Sequence, residues 1–135
     1  MHIKLLKAML DMRGIGYTEE NGMLKLAVIC GGHRLEIVFI SDKESFLRMF
    51  VRYPWSIPQE NRGRVLEKLD ELNGTLRAGC FHTLDGFVVF RYGSYIFDEY
   101  TAGESVSDLF LTGVAAADSH WNDIYAVCAA NEMGL

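Results

Sequence analysis

The chain has 135 residues, with 18 acidic side chains against 13 basic ones and a net charge of −5. Half of its residues are hydrophobic and 23% are charged, which excludes a disordered or low-complexity chain and fits one globular domain over residues 1–135. The pI near 5.3 argues against nucleic acid and against an anionic membrane surface, because both need clustered Lys and Arg.

Residues 2–13 read as a helix, with Leu5, Met9 and Met12 at helical spacing and Ile3, Leu6 and Leu10 widening the stripe. Gly14 and Gly16 stop it. Tyr17 to Gly22 is a polar turn stretch. Met23–Cys30 alternates as a strand, and Gly31-Gly32 is a hairpin turn leading into a partner strand from Arg34 to Ile40. A third strand is expected from Phe46 to Tyr53. Leu47, Met49, Val51 and Tyr53 then share one face, and Phe46, Arg48, Phe50 and Arg52 the other. A helix competes there, but the residue before Pro54 prefers extended geometry.

A second helix follows over about residues 58–73, entered at Pro58 and carrying Val65, Leu69, Leu72 and, beyond it, Leu76 as its stripe. Asn73-Gly74 ends it. A second hairpin runs from Gly79 to Leu84, through Asp85-Gly86, to Phe87–Tyr92. Tyr95 to Glu104 is aromatic and acidic without a clean period. Two helices close the chain. The first is capped by Ser105 and buries Val106, Leu109, Phe110, Gly113, Val114 and Ala117. The second is capped by Asp118 or Ser119, buries Trp121, Ile124, Tyr125 and Cys128, and ends at Gly134. The order α-β-β-β-α-β-β-α-α predicts an α+β domain with a single antiparallel sheet and helices packed on it. Leu69, Leu72, Phe81 and Val89 are expected in its core.

Candidate chemistry is sparse. Cys30, Cys80 and Cys128 are an odd, widely spaced set that points to a reducing compartment rather than a disulfide framework. Lys7 and Asp11 interrupt any apolar leader, and no apolar run approaches the ~20 residues of a membrane span, so a cytoplasmic protein is expected. Cys30 with His33 and Cys80 with His82 are the zinc candidates, but C-x-H on one strand sets its ligands about 7 Å apart. Cys80 with His82 and Asp85 is the nearest approach to a thiol-enzyme grouping, and it lacks a nucleophile elbow. His120 between Asp118 and Asp123 reads as a helix start, where acids complement the dipole. Gly14-Ile15-Gly16 lies outside a phosphate-cradling context. No enzyme activity, no cofactor and no metal are expected.

The stretch Val65-Leu66-Glu67-Lys68-Leu69-Asp70-Glu71-Leu72-Asn73 leads through Gly79-Cys80-Phe81-His82-Thr83-Leu84-Asp85 to Val88-Val89-Phe90-Arg91. This resembles the YbjN family, described as candidate bacterial sensory-transduction regulators, with its helix ending in Leu-Asn, its Gly-x-Phe strand and its strand ending in Phe-Arg. Ala117-Asp118 through Tyr125-Ala126-Val127 fits the family's closing helix. Where family members often carry a proline at that helix start, this chain reads Ser119-His120-Trp121-Asn122. The resemblance implies a type III secretion chaperone-like fold, often dimeric, and a regulatory or chaperone-like protein-binding role in sensory transduction or stress response. It supplies no catalytic residues.

A homodimer and a further protein partner are therefore expected. The candidate interface is Phe46, Arg48, Phe50 and Arg52, with Trp55 extending it from between two prolines, because aromatic and Arg side chains are enriched at interface centres. The alternative is a small-molecule sensor whose pocket is lined by Tyr92, Tyr95, Phe97 and Tyr100.

Overall fold

The structure, a computed structural model, describes residues 2–42, 45–96 and 100–130. Helix α1 (His2–Met12) buries Leu6 and Leu10 completely, with Leu5 and Met9 beside them. Met12 is 89% exposed, so the buried face is centred one position away from the Leu5-Met9-Met12 stripe. The helix ends on Gly14 at φ +70°, and the Ile15 N–H closes back on the Leu10 carbonyl at 2.9 Å, which satisfies an orphan carbonyl of the last turn.

Strands β1 (Thr18–Glu20) and β2 (Met23–Cys30) form the first hairpin. Its turn is Asn21-Gly22, both at positive φ, as a twisted two-residue turn requires. β1 is an addition to the expected polar turn, because its three exposed residues carry no hydrophobic alternation. Strand β3 (His33–Asp42) follows through Gly31-Gly32, and β4 (Phe46–Ser56) pairs with it. β4 runs three residues past the expected end. Pro54 has no N–H to give the ladder, and the register shifts between Arg52 and Ser56, so the strand passes the proline on an irregularity.

A single 3-10 turn, Gln59–Asn61, leads into α2 (Arg62–Asn73), so the regular helix starts later than Pro58. Strands β5 (Cys80–Leu84) and β6 (Phe87–Tyr95) close through Asp85-Gly86, again both at positive φ. Helices α3 (Ala102–Ser119) and α4 (Trp121–Ala129) follow. α3 starts three residues before Ser105, so Ser105 is not its cap; Gly134 lies outside the described residues. Asp118 and Ser119 do not cap α4 either, since both still belong to α3 and His120 occupies the corner. The sheet is antiparallel throughout, in the order β1-β2-β3-β4-β6-β5.

The α+β fold class is as expected, with β1 added. Leu47, Met49, Val51 and Tyr53 are all fully buried on one sheet face, beneath α1, α3 and α4. Gly113 brings α3 close: a Cβ there would overlap the Met49 side chain. Leu69, Leu72 and Phe81 join this core, and so does Val88. Val89 is also buried, but by strand alternation it points to the opposite face and lies outside this cluster, which corrects the expectation for that residue.

β5 is a sheet edge, and Asn73 at the end of α2 seals it. The Asn73 side chain donates from Nδ2 to the Phe81 carbonyl at 2.9 Å and accepts the Phe81 N–H on Oδ1 at 2.7 Å. One side-chain amide thus replaces a strand partner at Phe81, a local answer to the exposed-edge problem. This contact is the physical content of the Leu-Asn and Gly-x-Phe signals in the sequence.

Candidate functional site

All four described helices pack on the Leu47–Tyr53 side of the sheet. Alternation places Phe46, Arg48, Phe50 and Arg52 of β4 on the other face. Cross-strand register sets Tyr95 beside Phe46, Arg91 beside Phe50 and Val89 beside Arg52, and continues to Cys80 and His82 on β5. Val38, Glu36 and Lys25 complete the surface on β3 and β2. Ile29, Leu84 and Tyr95, each more than half exposed, also lie on it.

The charges of this face are interleaved with rings. Arg48 pairs with Asp42, with Nε 2.9 Å from Oδ2, and its guanidinium lies 5.6 Å from the Phe50 centroid. Arg52 pairs with Glu36 and sits 4.3 Å over the Phe87 ring. Lys25 reaches Glu20 at 3.2 Å, and Arg34 reaches Glu36 at 3.9 Å. Arg91 donates from Nη2 to Cys80 Sγ at 3.4 Å. Phe46 stacks obliquely on Tyr95 at 4.7 Å. These rings hold the arginine stems extended over the sheet, which lowers the entropy lost when a partner fixes them.

Two depressions flank Phe50. One, of about 340 Å³, is bordered by Lys25, Glu36, Val38, Arg52, Leu84 and Val89. The other, of about 450 Å³, is bordered by Phe46, Arg48, Gly79, Cys80, Arg91 and Gly93. Glycines line the second, and each is required by a close neighbour: Gly93 by Phe46 on this face and Gly79 by Phe90 on the helix side. A Cβ on Gly93 would lie 2.6 Å from the Phe46 ring, and one on Gly79 would lie 2.8 Å from the Arg91 carbonyl.

Four of the five expected interface residues therefore share one surface. Trp55 does not. It points to the helix side, where its ring lies 5.2 Å from Tyr53, 4.7 Å from Trp121 and 5.1 Å from Tyr125. β4 continues through Pro54, and plain alternation along it sets Trp55 on the Tyr53 face, opposite Phe50. Phe87, Val89, Arg91 and Leu84 were missed; the Asp85-Gly86 turn aligns β6 with β5, but the register of β6 on β4 is a long-range pairing.

The Cys and His candidates are distributed differently. Cys30 and His33 are directly opposite in the β2–β3 hairpin, while Cys80 and His82 lie on β5, with β4 and β6 between. The two pairs do not make one zinc site, and among the described residues no cluster of three or more His, Cys, Asp or Glu side chains has metal-binding geometry. The His33 ring donates from Nδ1 to Asp118 Oδ1 at 3.0 Å and stacks flat on Trp121 at 4.1 Å. Asp118 thus ties α3 to the hairpin, not to the start of α4. Burial first, and then the Asp118 carboxylate, push the Cys30 thiol up. Burial also pushes up Cys128 and, strongly, the Tyr53 phenol, which donates to the Ala117 carbonyl at 2.6 Å. These shifts disfavour thiolates and suit structural roles. His82 donates from Nδ1 to the Thr83 carbonyl at 3.3 Å, and Cys80 faces Arg91.

The aromatic-pocket residues do not converge. Tyr92 is half-buried on the helix side beside Phe90, and Tyr95 is on the opposite face against Phe46. Tyr100 is 99% exposed, and Phe97 lies outside the described residues. Among the described residues no helix is long and apolar enough to cross a membrane.

No family model matches the chain, and no curated protein matches it in sequence. A solved structure does match in fold: the crystal structure of YbjN from E. coli, a candidate transcription regulator. The match covers 88% of this chain and 93% of that one, at a TM-score of 0.57 and 11% identity. The chain has a YbjN-like fold.

Proposed function

We propose that the protein is a non-enzymatic, regulatory or chaperone-like protein-binding module of the cytoplasm, and that its contact surface is the helix-free sheet face. The observation that carries this reading is the Phe46-Arg48-Phe50-Arg52 row, continued by Arg91 and Val89, on a face that no described helix covers. Natural sheets that leave one face open usually make it polar. Here rings and guanidinium groups alternate, the composition of an interface centre. The fold shared with a candidate regulator supports a binding role.

Affinity capture from a bacterial lysate, with quantification, tests this. The bait pair is Phe50→Ser/Arg52→Ser, and the controls are Leu111→Ser and Met12→Ser on exposed helix positions. Partners lost only with the sheet-face bait support the reading. Partners retained by it and lost with the controls contradict it.

A second reading, self-association through the same face, is favoured by its mixture of carboxylates and arginines, which lets ion pairs such as Arg52–Glu36 exchange between two copies. Sedimentation equilibrium at micromolar concentration checks it. A single 15.2 kDa species across the range contradicts a dimer.

A further inference from the structure

We infer that the sheet face is built for an extended, acidic segment of a partner protein, with Arg91 as its carboxylate-binding residue. This rests on the reading of that face as a protein-contact surface and names the chemistry of what it takes. Lys25, Arg34, Arg48 and Arg52 each have a carboxylate within an ion pair on the face itself. Among the described residues Arg91 is the exception among the cations placed there: its side-chain partner is the Cys80 sulfur at 3.4 Å, a weak acceptor. It stands exposed on β6, one strand in from the edge, in a protein whose net charge is −5.

Its surroundings complete a receptor. Arg91 borders the 450 Å³ depression, which Gly93 leaves open because a Cβ there would strike the Phe46 ring. Phe46 forms one wall, and Phe50 stands across the ladder from Arg91. A planar carboxylate can meet the guanidinium fork with two parallel hydrogen bonds.

The 340 Å³ depression on the far side of Phe50 is lined by Val38, Leu84 and Val89 and suits an apolar side chain. The two clefts are offset by about four strand residues, roughly 13 Å at ~3.3 Å per residue. The occupant is therefore an extended chain with an Asp or Glu and an apolar residue four positions apart, so that both side chains face the sheet.

The test is selection of a random twelve-residue phage-displayed library on the folded full chain and on Arg91→Glu. Arg91→Lys is the conservative variant, and far-UV circular dichroism and the urea midpoint verify that each variant folds. The expected result is enrichment of acidic–apolar peptides on the native chain, loss of these peptides on Arg91→Glu and a shift there towards Lys and Arg. Synthetic copies of the enriched peptides should bind Arg91→Glu at least ~10-fold more weakly by fluorescence anisotropy, with Arg91→Lys between the two. Enriched peptides that lack acids, or that bind Arg91→Glu equally, overturn the carboxylate assignment while leaving the face as a contact surface. No enrichment on the native chain overturns the extended-segment occupant. Sedimentation showing a dimer that Arg91→Glu dissolves gives the face to a second copy and also overturns the proposal.

Discussion

Replacing Asn73 by Ala removes both hydrogen bonds that seal the β5 edge, the 2.9 Å bond to the Phe81 carbonyl and the 2.7 Å bond from its N–H. A net intramolecular hydrogen bond contributes about 1 kcal/mol, and a half-buried backbone group left without a partner adds to the loss. The expected cost is about 2–3 kcal/mol. For a domain of this size that lowers Tm by roughly 6–12 °C. Asn73→Asp separates the two bonds. Its carboxylate still accepts the Phe81 N–H but repels the Phe81 carbonyl, so the folded-state pKa of the new Asp rises above the unfolded value near 3.9. Stability relative to the native chain is then best below about pH 4 and is lost as the pH rises through the folded pKa. Urea titrations at pH 3.5 and 7, with hydrogen exchange at the Phe81 amide, measure this. A cost for Asn73→Ala under about 0.5 kcal/mol, or an Asp variant whose deficit does not change with pH, refutes the clamp.

Other outcomes follow from the same geometry. The raised pKa of Tyr53 means that its folding contribution is complete below the unfolded value of about 10 and falls above it by about 1.4 kcal/mol per pH unit, an alkaline loss that Tyr53→Phe should abolish while costing about 1 kcal/mol at pH 7. Gly79→Ala adds a Cβ 2.8 Å from the Arg91 carbonyl at a residue with φ +77°, and should cost about 2–4 kcal/mol in urea unfolding. In thiol labelling, Cys128 should react only on unfolding, and Asp118→Asn should speed labelling of Cys30 by removing the carboxylate that, after burial, holds its thiol protonated. An unchanged Cys30 rate would contradict that placement of Asp118.

The legible parts of this fold were those where local chemistry and tertiary packing agree. Gly31-Gly32 and Asp85-Gly86 fix two hairpins through positive φ, and the Leu47-Met49-Val51-Tyr53 alternation separates buried from open face without help from distant residues. The unread parts depend on long-range contacts. β1 exists because three polar residues find β2 as a template, although Asn21-Gly22 already carried the turn signal. Asp118 looks like a helix cap in sequence, yet its partner is His33, 85 residues away. Trp55 and Phe50 looked like one patch because Pro54 suggested a loop, whereas β4 continues to Ser56 and its alternation carries Trp55 to the Tyr53 face. Val89 was correctly expected to be buried but was assigned to the wrong side, since Val88-Val89-Phe90 is apolar throughout and reveals no phase by itself. Arg91 draws its interest from having no carboxylate beside it in the ladder, which only the strand order discloses.

Hydroxyl-radical footprinting of the protein alone and in complex with a captured partner tests the contact surface most directly. Protection of Phe46, Phe50, Leu84 and Phe87, with Leu111, Met12 and Tyr125 still oxidised at their free rates, is the predicted result. Protection confined to the helix positions, with the sheet-face rings oxidised as before, would contradict the assignment of that face.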